Sequence, residues 1–118
     1  MSDPAKPDRP WQLDPAMRMP FDVQVLSSAQ LRVTVRPEAL ADSALIGKES
    51  YEWAAGYPGE VLLDLSQLKV MNSPTCSWIM NLARTLPAMR VTVVGANQRV
   101  RGILETLRLD ALVNIAQT

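Results

Sequence analysis

Between residues 23 and 35 hydrophobic and polar positions alternate: Val23, Val25, then Leu31, Val33 and Val35, with polar Gln24, Arg32 and Thr34 between them. A period of two sends successive side chains to opposite faces, so the pattern predicts two half-buried strands in an antiparallel hairpin, turning at Ser27-Ser28-Ala29-Gln30. After Pro37 the period lengthens. Leu45, Ile46, Glu49 and Trp53 fall at helical spacing with Lys48 and Glu52 outward, which predicts a helix from Asp42 or Ser43 to Trp53, ended by Gly56-Tyr57-Pro58-Gly59. Val61-Leu62-Leu63-Asp64-Leu65 is denser in apolar residues than a one-sided strand requires, and predicts a strand covered on both faces, as in a parallel sheet.

A second helix is predicted over Pro74 to Leu86. It buries Ile79, Leu82, Ala83 and Leu86, leaves Ser77, Asn81 and Arg84 outside, places Trp78 and Met80 on its flanks, and stops at Pro87. Arg90 to Val94 predicts another short strand, and Gly95-Ala96-Asn97 a turn. Val100, Ile103, Leu104 and Leu107 mark a third amphipathic helix, and Leu112 to Ile115 a last edge strand. This order of elements predicts an α/β fold: a mixed β-sheet flanked by helices, a single domain over residues 21–118. Residues 1–20 hold five of the nine prolines among scattered charges and read as a tail. Two states are open for it: a free segment, or one laid on a hydrophobic patch through Trp11, Leu13, Met17 and Met19.

Composition narrows the function. A chain of 118 residues that is 47% hydrophobic can fill one ordinary core. Twelve lysines and arginines balance twelve aspartates and glutamates without a basic run, so neither nucleic acid nor an anionic membrane has electrostatic support as a partner. No apolar stretch approaches a membrane span, so no direct membrane insertion is expected, and the start of the chain lacks the apolar centre of a signal peptide. One cysteine, Cys76, allows no internal disulfide and fits the cytoplasm. Near a helix start its thiol has either a lowered pKa or a plain packing role. Histidine is absent, which removes the commonest general base and metal ligand; no catalytic residue, metal or cofactor is expected. Gly47-Lys48 is no phosphate-binding loop, since Asp42 stands in place of its first glycine and Glu49 in place of its Ser or Thr.

The remaining candidate chemistry lies where the Val61 strand gives way to the second helix, at the carboxyl edge where ligands and partners of such sheets bind. Ser73 reads first as the helix N-cap, with Pro74 at the following position. A second role is compatible: a phosphate on this hydroxyl would meet the N–H groups of Thr75 and Cys76, Pro74 having none. Loops after parallel strands share an edge, so Asn72, Ser73, Gly95, Ala96 and Asn97 are expected to be neighbours, with Thr75, Ser77 and Trp78 beside them. Trp78 reads either as a partner anchor or as a partly buried flank of the core. Asp64 reads as a strand-end hydrogen-bonding residue.

With Val-Leu-Leu-Asp-Leu, a short loop and Asn72-Ser73-Pro74-Thr75 opening a helix, the chain resembles the STAS domain family, named for sulphate transporters and anti-sigma factor antagonists. The resemblance runs from about Phe21 to Ile115, and includes Arg90 to Val94 with Gly95 and the closing Glu105-Thr106-Leu107-Arg108-Leu109-Asp110-Ala111-Leu112. In that family the loop reads Asp-Ser-Ser/Thr-Gly, and a serine kinase that doubles as an anti-sigma factor phosphorylates the residue after the aspartate. Ser73 matches that position. Asn72, Pro74 and Thr75 depart from the aspartate, second hydroxyl residue and glycine.

The resemblance implies a cytoplasmic, non-enzymatic regulator that binds an anti-sigma factor/serine kinase or another STAS-binding protein. Asn72, Ser73, Thr75, Ser77, Trp78, Gly95 and Asn97 form the expected partner surface, and Ser73 the phosphorylation site. The alternative is a non-switching structural subunit of a signalling scaffold or membrane-transport complex. Small-ligand or nucleotide binding ranks last for want of a phosphate loop. The oligomeric state is left open.

Overall fold

The computed structural model describes residues 19–40, 45, 47–55, 57–87 and 89–116. Five strands form one sheet in the order β1-β2-β3-β4-β5: β1 Phe21–Ser27, β2 Gln30–Val35, β3 Glu60–Asp64, β4 Val91–Val94 and β5 Asn114–Ile115. β1 runs antiparallel to β2, with Val23 opposite Val33, and the remaining neighbours are parallel. The helices are α1 Glu49–Glu52, α2 Ser73–Thr85 and α3 Gln98–Thr106, with a 3₁₀ turn at Pro37–Leu40 after β2 and another at Leu109–Ala111 before β5. The predicted mixed sheet flanked by helices is the fold observed.

The sheet's two faces follow from its pleat. Leu31, Val33, Val35, Val61, Leu63, Val91 and Val93 point one way and are fully buried. Arg32, Thr34, Leu62, Thr92 and Val94 point the other way and are half-buried. Asp64 lies on this second face yet is buried, and pairs with Arg32 on the neighbouring strand while accepting from the Ser66 N–H at 2.9 Å. Burial alone would raise the Asp64 carboxyl pKa, but hydrogen bonds from Ser66 and Arg32 outweigh it, and the net direction is downward. Asp64 thus ends β3 as an ionised, internally satisfied side chain.

Two expectations change at the level of the elements, and the end of the proline-rich segment is seen. A continuous helix from Asp42 or Ser43 to Trp53 does not form: Gly47 sits at φ 106°, which no right-handed helix accommodates, and α1 begins only at Glu49. Residues 41–44 and 46 lie outside the described residues. α3 buries Val100 and Leu104, whereas Leu107, at helical spacing in the sequence, is the residue after its last turn and is exposed. Of the proline-rich segment, Met19 packs against the core and Pro20 is buried. The Met19 carbonyl accepts from the Arg36 guanidinium and the Pro20 carbonyl from the Arg36 N–H. The rest of that segment lies outside the described residues.

An aromatic cluster joins the start of β1 to both neighbouring helices. Phe21 lies 5.8 Å from the Trp53 ring and 5.0 Å from the Trp78 ring, centre to centre. Both indole N–H groups donate to one acceptor, the Ser50 carbonyl, Trp53 at 2.9 Å and Trp78 at 2.6 Å. Ser50 is itself buried and its hydroxyl donates back to the Gly47 carbonyl at 2.7 Å. α1 is too short to hold itself. Its position comes from this shared carbonyl and the rings around it.

Candidate functional site

β2, β3 and β4 are parallel, so the loops that follow them open at the same edge of the sheet. Two asparagines fasten these loops together. Asn72 precedes α2 with extended backbone (φ −120°, ψ 172°) and is its N-cap: its Oδ1 accepts from the Thr75 N–H at 3.0 Å and from the Thr75 hydroxyl at 2.6 Å. Its Nδ2 donates to the Leu40 carbonyl, in the turn after β2, at 2.9 Å. Asn97 repeats the arrangement one loop along, capping α3 by accepting from the Val100 N–H at 2.8 Å and donating to the Lys69 carbonyl at 3.1 Å. The β2, β3 and β4 loops are thereby linked in series.

Ser73 is therefore not the cap. It is the first residue within α2, exposed, and no described residue hydrogen-bonds its hydroxyl. The backbone donors expected to greet a phosphate there are occupied as well. The Thr75 N–H is bonded to the Asn72 side chain and the Cys76 N–H to the Asn72 carbonyl at 3.1 Å. The sequence offers two good caps side by side, and what separates them is the amide N–H₂ of asparagine, which reaches a carbonyl that serine could not serve.

The expected partner surface divides. Thr75 and Trp78 belong to the interior, at 0% and 1% exposure, so Trp78 is not a surface anchor. Ser77 and Asn97 are exposed, and Asn72, Gly95 and Ala96 are half-buried. Cys76 is buried, and burial pushes its thiol pKa up, the packing role of the two that were open. Ser73 and Ser77 open into a groove of about 470 Å³ between the α1 segment and α2, which Lys48, Tyr51, Trp78 and Asn81 also line. Among the described residues, none of the β4–α3 loop lines it. Gly95 and Asn97 belong to a separate part of the same edge.

Lys48, Tyr51 and Asn81 were not among the expected site residues. A signal for one of them exists in the sequence, since Ser73, Ser77 and Asn81 recur every fourth residue and form one polar stripe on α2. Lys48 and Tyr51 arrive only through the packing of α1.

No protein-family model matches the chain, and no curated protein matches it. Among solved structures the chain is similar to the crystal structure of a candidate anti-sigma factor antagonist from Thermotoga maritima. The match has a TM-score of 0.59 and 20% identity, and covers 83% of this chain and 86% of that one. The likeness is one of fold. No helix among the described residues is long and apolar enough to cross a membrane.

The cap assignment carries a stability prediction. Asn72→Ala removes the cap and the tie to Leu40, and is expected to cost about 1–3 kcal/mol, an N-cap plus one partly buried hydrogen bond. Asn72→Asp keeps an acceptor for Thr75 and gains from the helix dipole, but faces the Leu40 carbonyl with a carboxylate that cannot donate. Its stability should fall between those of wild type and Asn72→Ala in urea unfolding. A variant with Asp at least as stable as wild type would mean that the gain at the helix end outweighs the loss of the Leu40 bond.

Proposed function

We propose that this chain is a STAS-type protein-binding regulator of the cytoplasm, an anti-sigma factor antagonist or related partner-switching protein, controlled by phosphorylation of Ser73. The observation that carries this reading is an exposed serine hydroxyl, relieved of capping by Asn72, at the amino end of a helix on the open edge of the sheet. The fold likeness to a candidate anti-sigma factor antagonist supports it. The partner is an anti-sigma factor that is also a serine kinase, or another STAS-binding protein. Such a kinase brings a nucleoside triphosphate. The Ser73 Oγ–P bond forms as the β–γ anhydride bond breaks, the nucleoside diphosphate leaves, and the hydroxyl proton passes to the kinase's base.

The physical basis of release is charge. Unmodified, Ser73 contributes a small neutral group to an interface with Ser77 and the exposed parts of Asn72 and Asn97. A phosphate adds about −1.5 to −2 charge, which a fitted interface can neither solvate nor pair. The second reading, a non-switching subunit of a larger assembly, is favoured by a specific feature: Asn72 places no negative charge beside the acceptor and is fully engaged in holding two loops.

Affinity capture from host lysate with wild type and Ser73→Glu, compared by quantitative mass spectrometry, separates the two. The regulator should lose or exchange a partner on Ser73→Glu. Identical partners in identical amounts would sink the switch and leave the structural subunit.

A further inference from the structure

We propose that a phosphoryl group on Ser73 is received by Lys48 across the groove between α1 and α2, and not by the amino end of the helix that bears it. This rests on the reading of Ser73 as a phosphorylated residue, and concerns where the charge goes once it is there.

The helix end is closed to an anion. Pro74 has no N–H, the Thr75 N–H is held by Asn72 Oδ1, and the Cys76 N–H by the Asn72 carbonyl, so the usual cluster of free donors is reduced to the Ser73 N–H itself. The groove is open to an anion. It offers about 470 Å³ beside the Ser73 hydroxyl, ample for a phosphate. Lys48 is the one charged side chain among the described residues lining it, is exposed, and forms no ion pair with a described residue. The other polar groups facing this space are neutral: the Tyr51 phenol and Asn81 amide, and the Ser77 hydroxyl one turn along α2 from Ser73. An ammonium is a compact point charge on a flexible stem, suited to meet a phosphate at variable distance. Lys48 precedes α1, whose place is fixed by the shared Ser50 carbonyl, so the cation is held on the correct side of the groove before any modification.

The modified side chain would then occupy the Ser73 end of the groove, facing Lys48. That end of the polar stripe is withdrawn from a partner by occupation as well as by repulsion.

The test installs phosphoserine at position 73 of the full chain during translation, so that it does not depend on any host kinase. The second phosphate pKa, ordinarily about 6, is read by ³¹P NMR titration. With Lys48 present it should lie lower than in Lys48→Gln by roughly 0.2–0.7 of a pH unit, the size of an exposed ion pair. The gap should close in about 1 M salt, where screening acts over roughly 3 Å. Lys69→Gln, on the β3–α2 loop outside the groove, should leave the value unchanged. Equal values in wild type and Lys48→Gln, or an equal effect from Lys69→Gln, would overturn the proposal. Absence of Ser73 phosphate in host cells would instead remove the switch, whatever the titration shows.

Discussion

Trp78→Ala is expected to destabilise the domain by about 3–5 kcal/mol, the range for deleting a large buried aromatic side chain. Trp78 is 1% exposed, packs against Phe21, and donates to the carbonyl that also receives Trp53. Its removal empties the junction of β1, α1 and α2. The Ser50 carbonyl keeps one donor through Trp53, so the loss is mainly one of packing. Trp78→Phe retains most of the ring contact and should cost about 1–2 kcal/mol, from one hydrogen bond and a smaller void. Urea unfolding followed by far-UV circular dichroism gives both values. A loss below about 1 kcal/mol for the alanine variant would return Trp78 to the surface and to candidacy as a partner contact. The same substitution should also loosen α1 and with it the groove that holds Lys48.

Gly95→Ala is the second large effect. Gly95 follows β4 at φ 71°, where an L-residue pays about 1–2 kcal/mol, and the space for a side chain is taken. An added Cβ would stand 2.8 Å from Ser66 Cβ and 3.1 Å from Asp64 Oδ1. Backbone strain and overpacking together predict a loss of about 2–4 kcal/mol. Gly102 is the internal control. It lies within α3 with open space where an alanine methyl would stand, and Gly102→Ala should gain about 0.5–1 kcal/mol. Thermal unfolding that moved both variants in the same direction would contradict the account of Gly95.

The β1–β2 hairpin and the two longer helices were legible because each buries one face, and burial imposes its period on the sequence. β3 was legible as a dense apolar run, although Leu62 on its second face is only half-buried. Val33 and Val35, or Ile79, Leu82 and Ala83, announce their element without reference to anything distant. Where reading by period failed, a non-local contact or a single backbone angle had the deciding weight. Periodicity ran α1 back to Asp42 or Ser43, but one glycine at positive φ outweighs several well-spaced apolar residues. Leu107 continues the apolar stripe of α3 in the sequence only, because the helix ends before it.

The candidate site was legible in place and not in detail. Ser73 was found from the strand, the loop and the helix start. Its supposed capping role went to Asn72, since both residue types cap well and the tie to Leu40, 32 residues earlier, is invisible along the chain. Trp78 fell on a helix flank by spacing. That flank turned out to face Phe21 and Ser50, whose approach depends on the assembled sheet. Lys48 and Tyr51 escaped notice for the same reason: a groove between two elements is a property of their packing.

The two asparagine ties have a bearing on how quickly a signal could pass through this edge. With the loops after β2, β3 and β4 fastened in series, a modification at Ser73 falls beside loops already tied to one another at Leu40 and Lys69. Information written there would be carried by the charge and bulk of the added group, complete as soon as the group is attached. Readout would then wait on encounter with the next partner, and its speed would be governed by concentration and ionic strength.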